Sequence, residues 1–304
     1  MKKLLMLLLI ISMVGAFALT GCGSDEPAAV DDGQEESTGY ADGVYFAQED
    51  EFAGSGYKYF VTLTVEDGAI TDAYWGGTNI VPAGNKRTAS EQGNYPMVAA
   101  GGAAADWHVQ AEAAEAWLIE NQDPTAFEEF YTDEEGHTDA LQTDDGTQVS
   151  IHVIEFFSLA EKALAADPVP AGEFATPADY VATSELPIGE KGWSYKGEFI
   201  VVNGTIVDVL FNAAFEGEFN EETAGYFKAD DEGNPDPESP SSKLELEDAY
   251  GMPWYVQANA SADYLVENQG FDVNYVDEEG HTDSISGVSI HVNEFEELFN
   301  KAFE

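Results

Sequence analysis

The sequence predicts an α+β fold built twice in tandem, and three observations carry that prediction. The first is an internal repeat. Asp133-Glu134-Glu135-Gly136-His137-Thr138-Asp139 returns unchanged as Asp277-Glu278-Glu279-Gly280-His281-Thr282-Asp283. Val149-Ser150-Ile151-His152-Val153 returns as Val288-Ser289-Ile290-His291-Val292, and Trp107-His108-Val109-Gln110-Ala111 as Trp254-Tyr255-Val256-Gln257-Ala258. Tyr95-Pro96-Met97 is matched by Tyr250-Gly251-Met252. A repeat this long marks two domains rather than a solenoid of short units. The second observation is order: in each copy, alternating strand patterns precede helical ones, as in α+β rather than alternating α/β chains. The third is composition. With 44% hydrophobic and 12% aromatic residues the chain can build cores, despite a formal net charge of −48.

The N-terminal elements come first in the chain. Met1-Lys2-Lys3 is basic, Leu4 to Leu19 is apolar, and the run ends at Leu19-Thr20-Gly21-Cys22. A basic start, a short apolar core and a small-residue exit make a secretory signal, too short and wrongly flanked for a lasting membrane span. Leu-x-Gly-Cys resembles the lipobox of bacterial lipoproteins. That resemblance implies removal of residues 1–21, a diacylglyceryl group on the Cys22 sulfur, and a lipid anchor on the outer face of the cell membrane. Two acyl chains on one residue give stable anchoring where one gives only marginal binding. Cys22 is the only cysteine, which excludes an intramolecular disulfide, a Cys-x-x-Cys redox pair and a c-type haem site. Residues 22–39 are polar and acidic and read as a flexible tether.

The first domain is read over residues 40–166. Tyr59 to Val65 alternates, Glu66-Asp67-Gly68 turns, and Ala69 to Trp75 alternates again, which makes a β-hairpin. Apolar residues at helical spacing then place helices over about 107–120 and 154–165. Residues 167–189, with Pro168, Pro170, Pro177 and Pro187, read as an interdomain linker. The second domain, 190–304, repeats the plan: strand Glu198 to Val202, turn Asn203-Gly204, strand Thr205 to Phe211, and helices over 254–268 and 293–303. Asn293 with Glu296 suggests a capping box on the last helix.

Charge excludes some partners. There are 59 acidic and 11 basic residues, so the surface repels nucleic acid and anionic headgroups. Self-repulsion of this density suits salty surroundings, where the Debye length falls to about 3 Å near molar salt.

One stretch points to chemistry. Asp283-Ser284-Ile285-Ser286-Gly287-Val288-Ser289 precedes a helix and sets a glycine between two hydroxyl residues, with an aspartate upstream. Helix N-termini favour phosphate, and a glycine allows close backbone approach. The stretch resembles the flavin-attachment motif of the FMN-binding domain family, Asp-x-x-Ser/Thr-Gly-Ala-Ser/Thr. Asp42-Gly43-Val44-Tyr45, the Asp-Gly hairpin, the lysine before Tyr-x-Met and the Trp-x-x-Gln helix also look like the two-domain lipoproteins of extracellular electron transfer, described too as pheromone-encoding lipoproteins. The resemblance implies two FMN-binding-type domains, each an antiparallel sheet with packed helices. It implies FMN joined by a phosphoester to Ser289, attached by a flavin transferase that uses FAD and magnesium, with Ser286 and Gly287 in the motif. Asp283 would orient the hydroxyl or bind the transferase's metal. The protein would be an electron carrier rather than a self-sufficient enzyme. Electrons would come from a membrane redox flavoprotein, a quinol-linked donor, and pass to the other module, free flavins or external acceptors.

Departures from the pattern shape the expectation. Val288 stands where the family has alanine, and in the first copy the segment from Asp139 to Ser150 is longer, with Gln148 in the place of Gly287. The Gly-x-Ser geometry is therefore expected to be lost there. Ser150 is the aligned acceptor and Thr147, beside Gly146, the second candidate, so the second domain is expected to carry the flavin. The alternative is a surface lipoprotein that has kept the fold and lost the flavin, binding a small ligand or partner protein. Either is compatible with a signal peptide that yields a pheromone.

His137, His281, His152 and His291 recur with the repeat, but none sits at i, i+4 on a helix and the acidic loops lack EF-hand order. They read as solvated or packing residues, and no metal site is expected. Trp107, Trp254, Tyr95 and Tyr250 could stack on an isoalloxazine ring; core packing is the commoner reason for such residues.

Overall fold

The structure is a computed structural model that describes residues 39–230, 232–245 and 253–304. The signal segment, Cys22, nearly all of the tether, and Tyr250-Gly251-Met252 lie outside the described residues.

The first module runs β1 (Gly43–Gln48), β2 (Tyr57–Glu66), β3 (Ala69–Asn79), α1 (Lys86–Glu91), α2 (Trp107–Asn121), a 3₁₀ turn (Pro124–Phe130) and α3 (Ile154–Leu164). The second runs β4 (Val181–Glu185), β5 (Trp193–Val202), β6 (Thr205–Phe215), β7 (Phe227–Ala229), β8 (Pro235–Pro240), α4 (Trp254–Asn268) and α5 (Asn293–Phe303). Each module holds a three-stranded antiparallel sheet, in the orders β1-β2-β3 and β4-β5-β6, and β7-β8 form a separate two-stranded ribbon.

The hairpins form because their turns suit the twist of the strands. Asp67 and Gly68 have φ of 54° and 77°, and Asn203 and Gly204 have 51° and 77°. A type I′ turn needs φ > 0 at both central residues. Both hairpins shift register at the same place, between Thr64 and Val65 and between Ile200 and Val201.

Strand alternation sorts side chains to two faces. In the first sheet Tyr45, Val61, Leu63 and Trp75 face a core closed by α2 and α3. In the second, Phe199, Val201, Ile206 and Phe211 face a core closed by α4 and α5. The opposite faces meet each other. Phe60, Val44, Phe46 and Tyr74 of the first sheet pack with Val181, Ile200, Val202 and Val207 of the second. The layers are thus helices, sheet, sheet, helices, and the described residues form one compact unit.

The helix ends are tied to the hairpins. Gln122 and Gln269 cap α2 and α4 in the left-handed conformation, at φ of 65° and 51°. The Gln122 side chain accepts from the Ile70 N–H at 2.7 Å and donates to its carbonyl at 2.9 Å; Gln269 does the same to Ile206, both at 2.9 Å.

Two expectations are corrected. The proline-rich segment is not only a linker, because its residues 181–185 are β4, the edge strand equivalent to β1. Its earlier part is also tied down: the Val169 N–H donates to the Val44 carbonyl at 2.7 Å, and the Gly172 N–H to that of Asn203 at 2.9 Å. The expected capping box is absent. Val292 is the N-cap of α5, Asn293 is already helical, and Glu296 accepts instead from the Tyr275 hydroxyl. No helix among the described residues is long and apolar enough to cross a membrane.

Candidate functional site

The two repeated serines are held by the two repeated helix glutamines. In the first module Gln110, fully buried on α2, points its Oε1 at the loop before α3. That oxygen accepts from the Ser150 N–H at 2.6 Å, the Ile151 N–H at 3.2 Å and the Ser150 hydroxyl at 3.2 Å. Gln257 on α4 repeats this with the Ser289 N–H at 2.7 Å, the Ile290 N–H at 3.2 Å and the Ser289 hydroxyl at 3.1 Å. Both serines are exposed. The Trp-x-x-Gln and Val-Ser-Ile-His motifs are therefore two halves of one clamp.

Gln148 does not take the positive φ of Gly287, yet the clamp on Ser150 is kept. The longer loop closes on itself: the Thr143 N–H donates to the Thr147 carbonyl at 2.9 Å, and the Gln148 amide donates to the carbonyls of Thr138 and Leu141 at 3.1 and 2.8 Å. The extra residues are absorbed before Ser150, which arrives in the same place as Ser289. Thr147, the second candidate, lies in that closed turn, its N–H bound to the Asp145 carboxylate at 3.0 Å. Asp139, Asp283, Ser286 and Gly287 are exposed. Gly287 has φ of 80°, and a Cβ there would meet nothing within 4 Å, so its left-handed backbone borders open space. The N–H groups of Ser289 and Ile290 already serve Gln257, so they are not free to cradle a phosphate.

Each module also buries a lysine among aromatic rings, and in the first that lysine lies beside the clamp. Lys86, only 3% exposed, donates to the Tyr59 hydroxyl at 2.7 Å. Its ammonium lies 4.4, 4.8, 4.6 and 5.1 Å from the ring centres of Tyr57, Tyr59, Tyr95 and Trp107. Lys243 donates to the Tyr195 hydroxyl at 2.6 Å and lies 5.4, 4.6 and 5.3 Å from the rings of Trp193, Tyr195 and Trp254. Burial pushes each lysine down to about 8. The negative ring faces act the other way and favour the ammonium. Trp107 and Trp254 are core residues, at 2% and 4% exposure, and Trp107 stacks on Tyr59.

In the first module the lysine and the serine share a cavity of about 250 Å³, lined also by Tyr59, Tyr95, Met97 and Trp107, with His152 and Glu155. A mostly apolar cavity of about 350 Å³ adjoins it through Tyr95 and Met97. The matching wall of the second module, residues 246–252, lies outside the described residues.

No family model matches the chain, and no curated protein does. Two solved structures are similar to part of it. One is a solution NMR structure of a Clostridium thermocellum protein, 43% identical, spanning 42% of this chain and 94% of that one, with a TM-score of 0.32. The other is a crystal structure of a Clostridium perfringens protein, 24% identical, spanning 41% of this chain and 87% of that one, with a TM-score of 0.29.

The histidines also come together, which their spacing did not show. His137 and His152 meet with their ring centres 4.4 Å apart, and His281 and His291 with theirs 5.7 Å apart. The buried lysines were legible only as a lysine before Tyr-x-Met. Their burial depends on rings from β2, β5, α2 and α4, far apart in sequence.

Proposed function

We propose that this protein is a membrane-anchored extracytoplasmic flavoprotein that carries FMN on Ser289, Ser150 or both, and shuttles electrons in extracellular electron transfer. The observation that carries the reading is the repeated clamp, an exposed serine hydroxyl aimed by a buried glutamine, with a lysine set among aromatic rings in each module and beside the serine in the first. Those residues suit a phosphate ester that bears a flat aromatic group. Gln110 and Gln257 hold the acceptor hydroxyls. Lys86, on the wall of the cavity, is the cation available to the anionic end or to a reduced ring. Tyr95 and Met97 offer apolar surface where the two cavities join. FMN, when bound, would supply the redox chemistry; the chain supplies position and electrostatics. Anchoring through Cys22 would keep the carrier near a membrane donor.

The test is in-gel flavin fluorescence after denaturing electrophoresis of protein co-expressed with a flavin transferase. Wild type is expected to give a fluorescent band that survives denaturation. Ser289→Ala and Ser150→Ala should each remove the flavin of their own module, and the double variant should be dark. A dark wild type, with the transferase active on a control, would instead support the ligand-binding surface lipoprotein.

A further inference from the structure

We propose that Glu135, His137 and His152 form a zinc-binding site at the His152 edge of the Ser150 cavity, present in the chain made without flavin. The ligand atoms of these three residues lie within 4.8 Å of one another. The site is built by a backbone link rather than by sequence spacing. The Val153 N–H donates to the Gly136 carbonyl at 3.0 Å, which fixes the acidic loop against the segment that carries His152. Gly136 is required there: its φ is 87°, and a Cβ would lie 2.4 Å from the Ile154 Cβ.

His137 is oriented as a ligand by a hydrogen bond, and His152 has carboxylates near both ring nitrogens. The Nδ1 of His137 meets the Asp133 carboxylate at 2.7 Å, and the same aspartate accepts from the backbone of Glu135 and His137 at 3.0 and 3.1 Å. The Nδ1 of His152 faces Glu155 at 3.9 Å, and its Nε2 faces Glu135 at 3.8 Å. For His137 the carboxylate on Nδ1 selects the tautomer whose Nε2 lone pair is free for a metal. With two imidazoles in the set, zinc fits better than calcium or magnesium, which prefer all-oxygen shells. Tetrahedral zinc needs donors about 3.4 Å apart at usual bond lengths. Closing to that spacing from within 4.8 Å asks for small side-chain rotations, and Glu135 and His152 have side chains 74% and 46% exposed. Three protein ligands leave one position for water or an incoming group.

The second module repeats the polarity but not the closeness. The Nδ1 of His281 meets Asp277 at 2.8 Å, and that of His291 faces Glu294 at 3.4 Å. Its rings stand farther apart, and Asn293 crowds Gly280 where Ile154 seats Gly136. The tighter site therefore belongs to the first module.

The experiment is calorimetric zinc titration of the chain from residue 22 onward carrying Cys22→Ser, made without a flavin transferase, in excess magnesium to occupy loose carboxylate sites. Expected is one tight site per chain, weakened about tenfold or more by His137→Ala or His152→Ala and by less by His281→Ala. Glu135→Gln, exposed and harmless to folding, should weaken it too, and thermal unfolding without zinc should show each variant folded. Zinc binding that magnesium abolishes, or that survives both histidine substitutions unchanged, would overturn the proposal. Because no flavin is present, failure here leaves the flavoprotein reading standing, and a dark gel leaves the zinc site standing.

Discussion

The two modules agree in what they hold and differ in how they get there. Both present a serine clamped by a helix glutamine, a lysine among rings, and a histidine pair with Nδ1 turned to carboxylates. Around these constants the surroundings change. The first module reaches Ser150 through an inserted turn, and the second reaches Ser289 directly through Gly287. The first approaches its lysine from α1, where Arg87 is paired with Glu91, Glu112 and Glu115. The second approaches from the β7-β8 ribbon. The comparison teaches that the clamp is fixed by what comes after the loop. Three hydrogen bonds to one buried amide oxygen set the serine, so loop length upstream can vary without moving it.

The strongest way to break the comparison is to separate the modules. Ile200→Asp would place a carboxylate between the sheets, where Ile200 is 1% exposed. We expect a loss of about 4 kcal/mol or more, from a lost apolar side chain and an unpaired buried charge. Urea unfolding followed by tryptophan fluorescence should change from one transition to two. A single unshifted transition would show that the modules do not depend on this interface.

Next is the clamp. Gln110→Leu and Gln257→Leu should each cost about 2–3 kcal/mol, since each strips partners from two backbone N–H groups. Equal losses in chemical denaturation would confirm that the two clamps are equivalent. A loss confined to one would make the other decorative.

Smaller and pH-dependent is the lysine term. The folded Lys86 is depressed to about 8, against about 10.4 for an unfolded lysine. Between those values the unfolded chain binds more protons, so this group's contribution to stability rises with pH across that window and is flat below it. Wild type should therefore gain on Lys86→Met by about 1–3 kcal/mol between pH 7 and pH 10. Comparing the two proteins at each pH cancels the other titrating groups. A gap that narrows in the opposite direction would mean that the ring cage outweighs burial.

The smallest effect expected is at the loop glycines. Gly287→Ala should cost about 1 kcal/mol, the strain of a left-handed alanine, because nothing blocks its Cβ. Gly136→Ala should cost distinctly more, since there the Cβ also meets Ile154. Thermal unfolding of the two variants measures the difference.

Much of the fold was legible because its signals are local. Asp67-Gly68 and Asn203-Gly204 mark type I′ turns, and the apolar spacing of residues 254–268 and 293–303 set those helices at the observed ends. β4 was hidden because five residues among four prolines carry too little alternation to stand out. The capping box failed because Asn293 and Glu296 have the right spacing but the helix begins one residue too early for them. The serines were named from a motif; the glutamines that hold them were visible in the repeated Trp-x-x-Gln helix but not as the serines' partners.

The sequence by itself determined the duplication, the hairpins, the helices and the serine-bearing loops, because turn chemistry and hydrophobic period act over a few residues. Only the tertiary structure decided that the sheets stack into one body and that Ser150 and Ser289 sit in the same glutamine clamp. The same is true of the buried lysines and of His137 meeting His152. Each of those depends on groups distant in the chain, brought together by buried apolar faces and by single hydrogen bonds that no local pattern encodes.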